Sequence, residues 1–148
     1  MRLFRALGAL ALPPVIWATS LTGPAQAVEL PVLSVAQGVI GIEGTPDPEE
    51  PYTRIRVAVH LSEPQPFDIY VAYTTRDGSA EAPGDYLAMD RVRVRIPAGQ
   101  WYGEAVVLVR RDARCEPDEY LSGVISNPSY GRLGDTTGRV TIQDDDCR

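Results

Sequence analysis

Lysine is absent from this chain, and its 14 cationic side chains are all arginine. They are outnumbered by 20 carboxylates, which leaves a formal net charge of −6 at pH 7. A domain with this balance offers no electrostatic footprint to the phosphate backbone of nucleic acid. Histidine occurs once, at His60, and cysteine twice, at Cys115 and Cys147. Two thiols and one distant imidazole do not make a tetrahedral zinc site. Nucleophile-elbow, phosphate-loop and zinc-helix motifs are missing as well. Past residue 27 no run is apolar enough to cross a bilayer, which takes about 20 apolar residues as a helix. No stretch sustains a helical period, and no internal repeat or low-complexity tail is present.

The first residues carry the pattern of an export signal. Arg2 and Arg5 supply a positive start, Ala6 to Ala18 is mostly apolar, and Ala25-Gln26-Ala27 is a small-x-small cleavage site. Pro13 and Pro14 interrupt the apolar stretch and argue against a spanning helix. Cleavage after Ala27 leaves residues 28–148 as a single domain, more acidic than the whole chain and long enough to bury a core. Such a domain is expected in the periplasm or outside the cell. Both compartments are oxidising, so Cys115 and Cys147 are expected to pair. Closing that loop contributes about 3–4 kcal/mol in the chain-entropy model. A structural role is sufficient to account for the bridge.

The mature chain reads as short strands divided by turns. In Arg54-Ile55-Arg56-Val57-Ala58-Val59-His60-Leu61 the apolar residues alternate, placing Ile55, Val57, Val59 and Leu61 on one face. The arginines and His60 fall on the other face, which makes His60 a surface residue, not a catalytic base. Arg91 to Ile96 repeats the alternation. Further strands are expected at Val32–Val35, Val39–Glu43, Asp68–Thr75, Trp101–Arg110, Asp118–Ser126 and Arg139–Gln143. Turns are expected at Glu63 to Pro66, Arg76-Asp77-Gly78, Pro97-Ala98-Gly99, Asn127-Pro128 and Leu133-Gly134-Asp135. Seven or eight strands, each with one apolar face, predict an all-β, antiparallel β-sandwich.

Acids stand where strands end or begin. They are Glu43, Asp85 in Pro83-Gly84-Asp85-Tyr86, the segment Asp112 to Glu119, and the run Asp144-Asp145-Asp146. A Cys115–Cys147 bridge would draw the last two clusters together, with Cα atoms roughly 5–6 Å apart. Carboxylates about 4 Å apart repel by up to ~4 kcal/mol at an effective dielectric of 20. Protons or a cation must offset such a gathering, and calcium takes six to eight hard oxygen ligands. Any single acid here is adequately explained as a solvated turn residue. The spacing alone does not bring Glu43 and Asp85 to the same end.

The order of the motifs carries more. Val71 to Ala80 holds an extended strand followed by Asp77-Gly78-Ser79-Ala80. Then come Pro83-Gly84-Asp85-Tyr86, Ile96-Pro97-Ala98-Gly99-Gln100 and Glu116-Pro117-Asp118-Glu119. Leu121 to Pro128 and the closing Gly138 to Asp146 complete the series. Over almost the whole mature chain this resembles a Calx-beta domain, the repeat of sodium/calcium exchangers and integrin β4. The resemblance implies an immunoglobulin-like sandwich with a calcium site at one end. It implies ligand roles for Glu43, Asp85, Asp112, Glu116, Asp144, Asp145 and Asp146, with Glu119 as an outer member.

One position departs from that pattern. Consecutive aspartates often precede the Glu-Pro-Asp-Glu segment in the family, and here the stretch is Arg110-Arg111-Asp112. An arginine can neutralise the cluster in place of calcium, through a bidentate pair with Asp145 or Glu116. The expectation is therefore one weak to moderate site, in the extracellular class of roughly 0.1–1 mM. Two readings follow. In the first, the protein is an exported, non-enzymatic calcium module serving adhesion, cell-surface interaction or cell communication. In the second, it is an interaction module of the same fold, its acids neutralised by Arg110, Arg111 and Arg114. A carbohydrate-active enzyme is a distant third, because acids this dense do not keep one carboxyl neutral and another charged. Trp101 and Tyr102 are expected to pack at the core or its rim. A protein or surface ligand is expected as partner, and no motif names it or an oligomeric state.

Overall fold

The computed structural model describes residues 27–147, so the expected export signal lies outside the described residues but for Ala27. Among the described residues nine strands are formed: β1 (Val32–Val35), β2 (Val39–Ile42), β3 (Tyr52–Leu61), β4 (Ile69–Asp77), β5 (Val92–Ile96), β6 (Tyr102–Arg110), β7 (Glu119–Ser126), β8 (Arg132–Leu133) and β9 (Thr137–Gln143). Among the described residues no helix is long and apolar enough to cross a membrane.

Alternation sets the faces. Ile55, Val57, Val59 and Leu61 of β3 are buried, while Arg54, Arg56 and His60 are exposed. On β6 the buried set is Ala105, Val107 and Val109, and on β4 it is Ile69, Val71 and Tyr73. Two sheets close over these residues, one in the order β6-β3-β1-β8 and the other β2-β9-β7-β4-β5. Each fully buried Val, Leu or Ile stabilises the fold by roughly 1.5–3 kcal/mol. Val92, expected to face the core, is 43 % exposed, because it opens β5 at the free edge of its sheet. Trp101 and Tyr102 lie at the rim and are largely exposed, Tyr102 tilted against His60 with ring centroids 5.9 Å apart.

Three features differ from the expectations. Strand β8 occupies part of the expected turn at Leu133; two residues are too few to show a period. Strand β4 runs on through Asp77, where Asp77 pairs with Leu121. The sandwich is antiparallel through its centre, but β1 pairs with β8, and β2 with β9, in parallel. The second parallel pairing arises at Gly38, whose φ of +65° is a left-handed turn that glycine adopts freely. There the chain leaves one sheet as β1 and enters the other as β2.

Gly123 on β7 is required for a different reason. A Cβ built there would fall on the hydroxyl of Tyr73. Tyr73 is fully buried, its hydroxyl has no hydrogen-bond partner, and burial pushes its pKa up to about 12. Tyr73→Phe is expected to stabilise the domain by ~1 kcal/mol in urea unfolding, because an unsatisfied buried hydroxyl is removed. Gly123→Ala should destabilise it by about 1–3 kcal/mol through overpacking, and less in the Tyr73→Phe background. A destabilised Tyr73→Phe would mean that the hydroxyl contributes an interaction after all.

Candidate functional site

The parallel pairing of β2 with β9 determines where the acids go. Ile42 lies opposite Gln143, so the two strands end side by side, and the Glu43 N–H donates to the Gln143 carbonyl at 2.9 Å. Glu43 and Asp144-Asp145-Asp146 therefore leave the sheet together. Strand β6 ends at the same end of the sandwich, where Tyr52 pairs with Arg110, and β7 begins there, with Glu119 paired to Ile142. The connection between β6 and β7 carries Asp112 and Glu116. It is tied to the end of β9 by the Cys115–Cys147 disulfide, with Cα atoms 4.6 Å apart.

Asp85 arrives by another route. Tyr86 is fully buried, and its hydroxyl donates to Asp77, which also accepts from the Ala82 N–H at 3.1 Å. These bonds hold the Asp77 carboxyl below the usual carboxylate range. The Asp85 side chain accepts from the Glu81 N–H at 2.7 Å, and its carbonyl accepts from the Arg110 N–H at 2.7 Å. The loop between β4 and β5 is thus clamped to β6 beside the acidic connection.

An inner trio results. Asp85, Glu116 and Glu119 each present a carboxylate oxygen, and the three oxygens lie within 4.8 Å of one another. Two charges at that separation repel by about 3.5 kcal/mol at an effective dielectric of 20. Glu43 and Asp112 line the same small cavity, of about 10 Å³. By the measure on which one water needs about 10–15 Å³, this is room for a single small species. Glu119, expected at the margin, is in the innermost group. Its alternation within β7 was a usable signal: Leu121, Gly123 and Ile125 point inward, and Glu119 is in phase with them.

The outer acids are more heavily engaged with backbone. Asp144 accepts from the N–H groups of Glu116, Asp146 and Cys147 at 2.8–3.1 Å, so both of its oxygens are used. Asp145 accepts from the Gly44 N–H at 3.0 Å. Asp112 accepts from the Arg114 N–H at 2.7 Å, and Glu43 from the Asp112 N–H at 3.0 Å. Asp146 keeps one buried oxygen without a hydrogen-bond partner. Its pKa is raised by desolvation and by the charges of Asp145, Asp144 and Asp112.

The arginines do not neutralise this end in the expected way. Arg111 donates to Thr53 Oγ1 at 2.9 Å and lies 3.7 Å from Glu50, not against Asp145 or Glu116. Arg114 reaches Glu116 only at 3.8 Å. Protons fill part of the gap. Burial pushes Glu43 up to about 7, opposed by the Asp112 N–H and reinforced by the charges of Asp112, Asp144 and Glu116. Burial also pushes Glu119 up to about 7, with Asp85 and Glu116 adding to it.

With the geometry defined, similarity to known proteins becomes informative. No family model and no curated protein matches the chain. Solved structures do. CBD12 from CALX1.2 is similar at 25 % identity and a TM-score of 0.64, over 77 % of this chain and 44 % of that one. The apo-form Calx CBD1 domain is 24 % identical, with a TM-score of 0.60, over 80 % of this chain and 100 % of that one. The calcium binding domain CBD12 of CALX1.1 is 22 % identical, with a TM-score of 0.63, over 77 % of this chain and 46 % of that one. The chain thus spans less than half the length of the two CBD12 structures. By fold it is a Calx-beta-like domain, a β-sandwich of the type found in calcium-binding domains.

A raised carboxyl pKa means that folding takes up a proton. Stability from that source is full below the unfolded value and is lost as pH rises through the folded one. For Glu43 and Glu119 the window runs from about 4.5 to about 7. In chelator, the thermal midpoint is expected to be several degrees higher at about pH 5.5 than at about pH 8. The opposite slope would show that these acids are not in conflict at neutral pH.

Proposed function

We propose that the acidic end of the sandwich binds one calcium ion, and that the protein is a non-enzymatic calcium-binding module. The observation that carries this reading is the inner trio, with three carboxylate oxygens gathered around a space for one small species. Arg110 also lines that space but makes no ion pair with the trio among the described residues. The donor set is all hard oxygen, which suits calcium and not a soft metal. The partnerless buried oxygen of Asp146 is a further acceptor lacking its donor. Asp85, Glu116, Glu119, Glu43 and Asp112 would hold the ion, with Asp146 beside them. Asp144, both of whose oxygens already accept backbone N–H groups, would orient the terminal segment, and Asp145 would hold the Gly44 N–H. One of the similar structures, CBD12 of CALX1.1, is itself a calcium binding domain.

A bound dication replaces the protons on Glu43 and Glu119 and removes the repulsion among the trio. It would stiffen the connection between β6 and β7 and the loop bearing Asp85, and so shape the surface at that end. Export to an oxidising compartment fits the disulfide. Adhesion, surface interaction or cell communication is the role proposed for that surface.

About 10 mM calcium is expected to stabilise the folded chain by roughly 1.5–3 kcal/mol over chelator, if the site is of the 0.1–1 mM class. Asp85→Asn together with Glu119→Gln should raise the melting point in chelator, by relieving repulsion, and abolish the calcium response. An unchanged midpoint in calcium at about pH 8, where proton competition is weakest, would favour the alternative of an interaction module that binds no physiological calcium.

A further inference from the structure

Next to the acidic cavity, and sharing Arg110 and Asp112 with it, lies an open groove of about 570 Å³. That volume is in the range of small-ligand pockets, roughly 300–1,000 Å³. Its lining includes three arginines, Arg110, Arg111 and Arg114, and one acid, Asp112, in a chain that is acidic overall. Tyr52 and Pro83 add ring faces. Arg111 is held in place by Thr53 at 2.9 Å, lies 3.7 Å from Glu50, and is only 22 % exposed. Arg110 is exposed and makes no ion pair among the described residues. The Arg114 guanidinium is ion-paired, among the described residues, with Glu116 at 3.8 Å, and the Arg114 side chain is 78 % exposed, so this contact contributes little. The donor capacity of Arg110 and Arg114 is largely unspent, and Arg111 is fixed beside them.

We propose that this groove binds an acidic saccharide. Guanidinium forks match the paired oxygens of a carboxylate or sulfate group. The Tyr52 ring offers an apolar face to a sugar ring, and Asp112 offers an acceptor to hydroxyl groups. An acidic peptide fits less well. The backbone N–H groups of Arg110 and Arg111 are already taken by the Asp85 and Pro51 carbonyls, so an extended chain finds no open strand edge here. The acidic cavity next door repels an anion until protons or a cation neutralise it, which makes calcium an aid to binding.

Titration calorimetry of the folded chain tests this with four probes: trigalacturonate, a heparin-derived tetrasaccharide, a neutral cello-oligosaccharide and hexaglutamate. Each is measured in calcium and in chelator. At least one acidic saccharide should bind, more weakly as salt rises, and the neutral sugar should not. Arg110→Gln with Arg114→Gln should weaken binding by about tenfold or more, measured in each buffer well below the variant's own melting point so that loss of fold is excluded. Which acidic saccharide binds more tightly tells carboxylate from sulfate. The proposal is overturned if neither acidic saccharide binds in either buffer, if the neutral sugar or hexaglutamate binds equally well, or if the double variant binds as tightly as the parent. Equal binding in chelator and in calcium would still support the groove while counting against the calcium reading, so the two failures are separable.

Discussion

Two strands that end side by side control this molecule. Because β2 runs parallel to β9, the residue after each emerges at the same point, and both emerging segments are acidic. A purely antiparallel arrangement of these two strands would send Glu43 to the opposite end from Asp144, Asp145 and Asp146. The left-handed turn at Gly38 makes the parallel arrangement available, since it lets the chain change sheets between β1 and β2. The disulfide then holds the connection between β6 and β7 against the same place. Three acidic segments meet there as a consequence of strand direction and the disulfide, and the loop bearing Asp85 is clamped beside them.

That meeting opposes folding, and the rest of the structure offsets it. The two sheets bury an apolar core whose alternation is unbroken along β3, β4 and β6. Backbone N–H groups satisfy one oxygen on most of the outer acids, and protons reduce the charge on Glu43 and Glu119. Neither device empties the space between Asp85, Glu116 and Glu119 of its repulsion at neutral pH. A fold that is stable despite such a cluster is poised to gain stability from a cation. This links the core, through the disulfide and the strand ends, to the proposed function.

Charge is also separated over a short distance. Arg110 and Asp112 belong to both the acidic cavity and the arginine-lined groove. The arginine at residue 111, which replaces an expected acid, turns away from the cluster to Thr53 and Glu50. Its sequence position suggested neutralisation of the site, yet its side chain serves the neighbouring surface. Contacts of this kind are not coded by proximity along the chain, because adjacent residues of an extended segment point to opposite sides.

The period-two pattern, the turn residues and the motif order made the sandwich legible, down to which residues of β3 face the core. This works because alternation is a local consequence of strand geometry. The acids of each loop were equally visible, since turns favour them. Strand β8 was not, being two residues long; the phase of β7 pointed Glu119 inward, but its meeting with Asp85 and Glu116 depends on how distant segments pack. Sequence by itself determined the strands and their core faces, the pairing of the only two cysteines and the identity of the acidic segments. Only the tertiary structure decided which oxygens converge, which are already bonded and where the arginines point. The reason is physical: strand faces follow from neighbours in sequence, whereas a cluster follows from the direction and register of strands far apart in it.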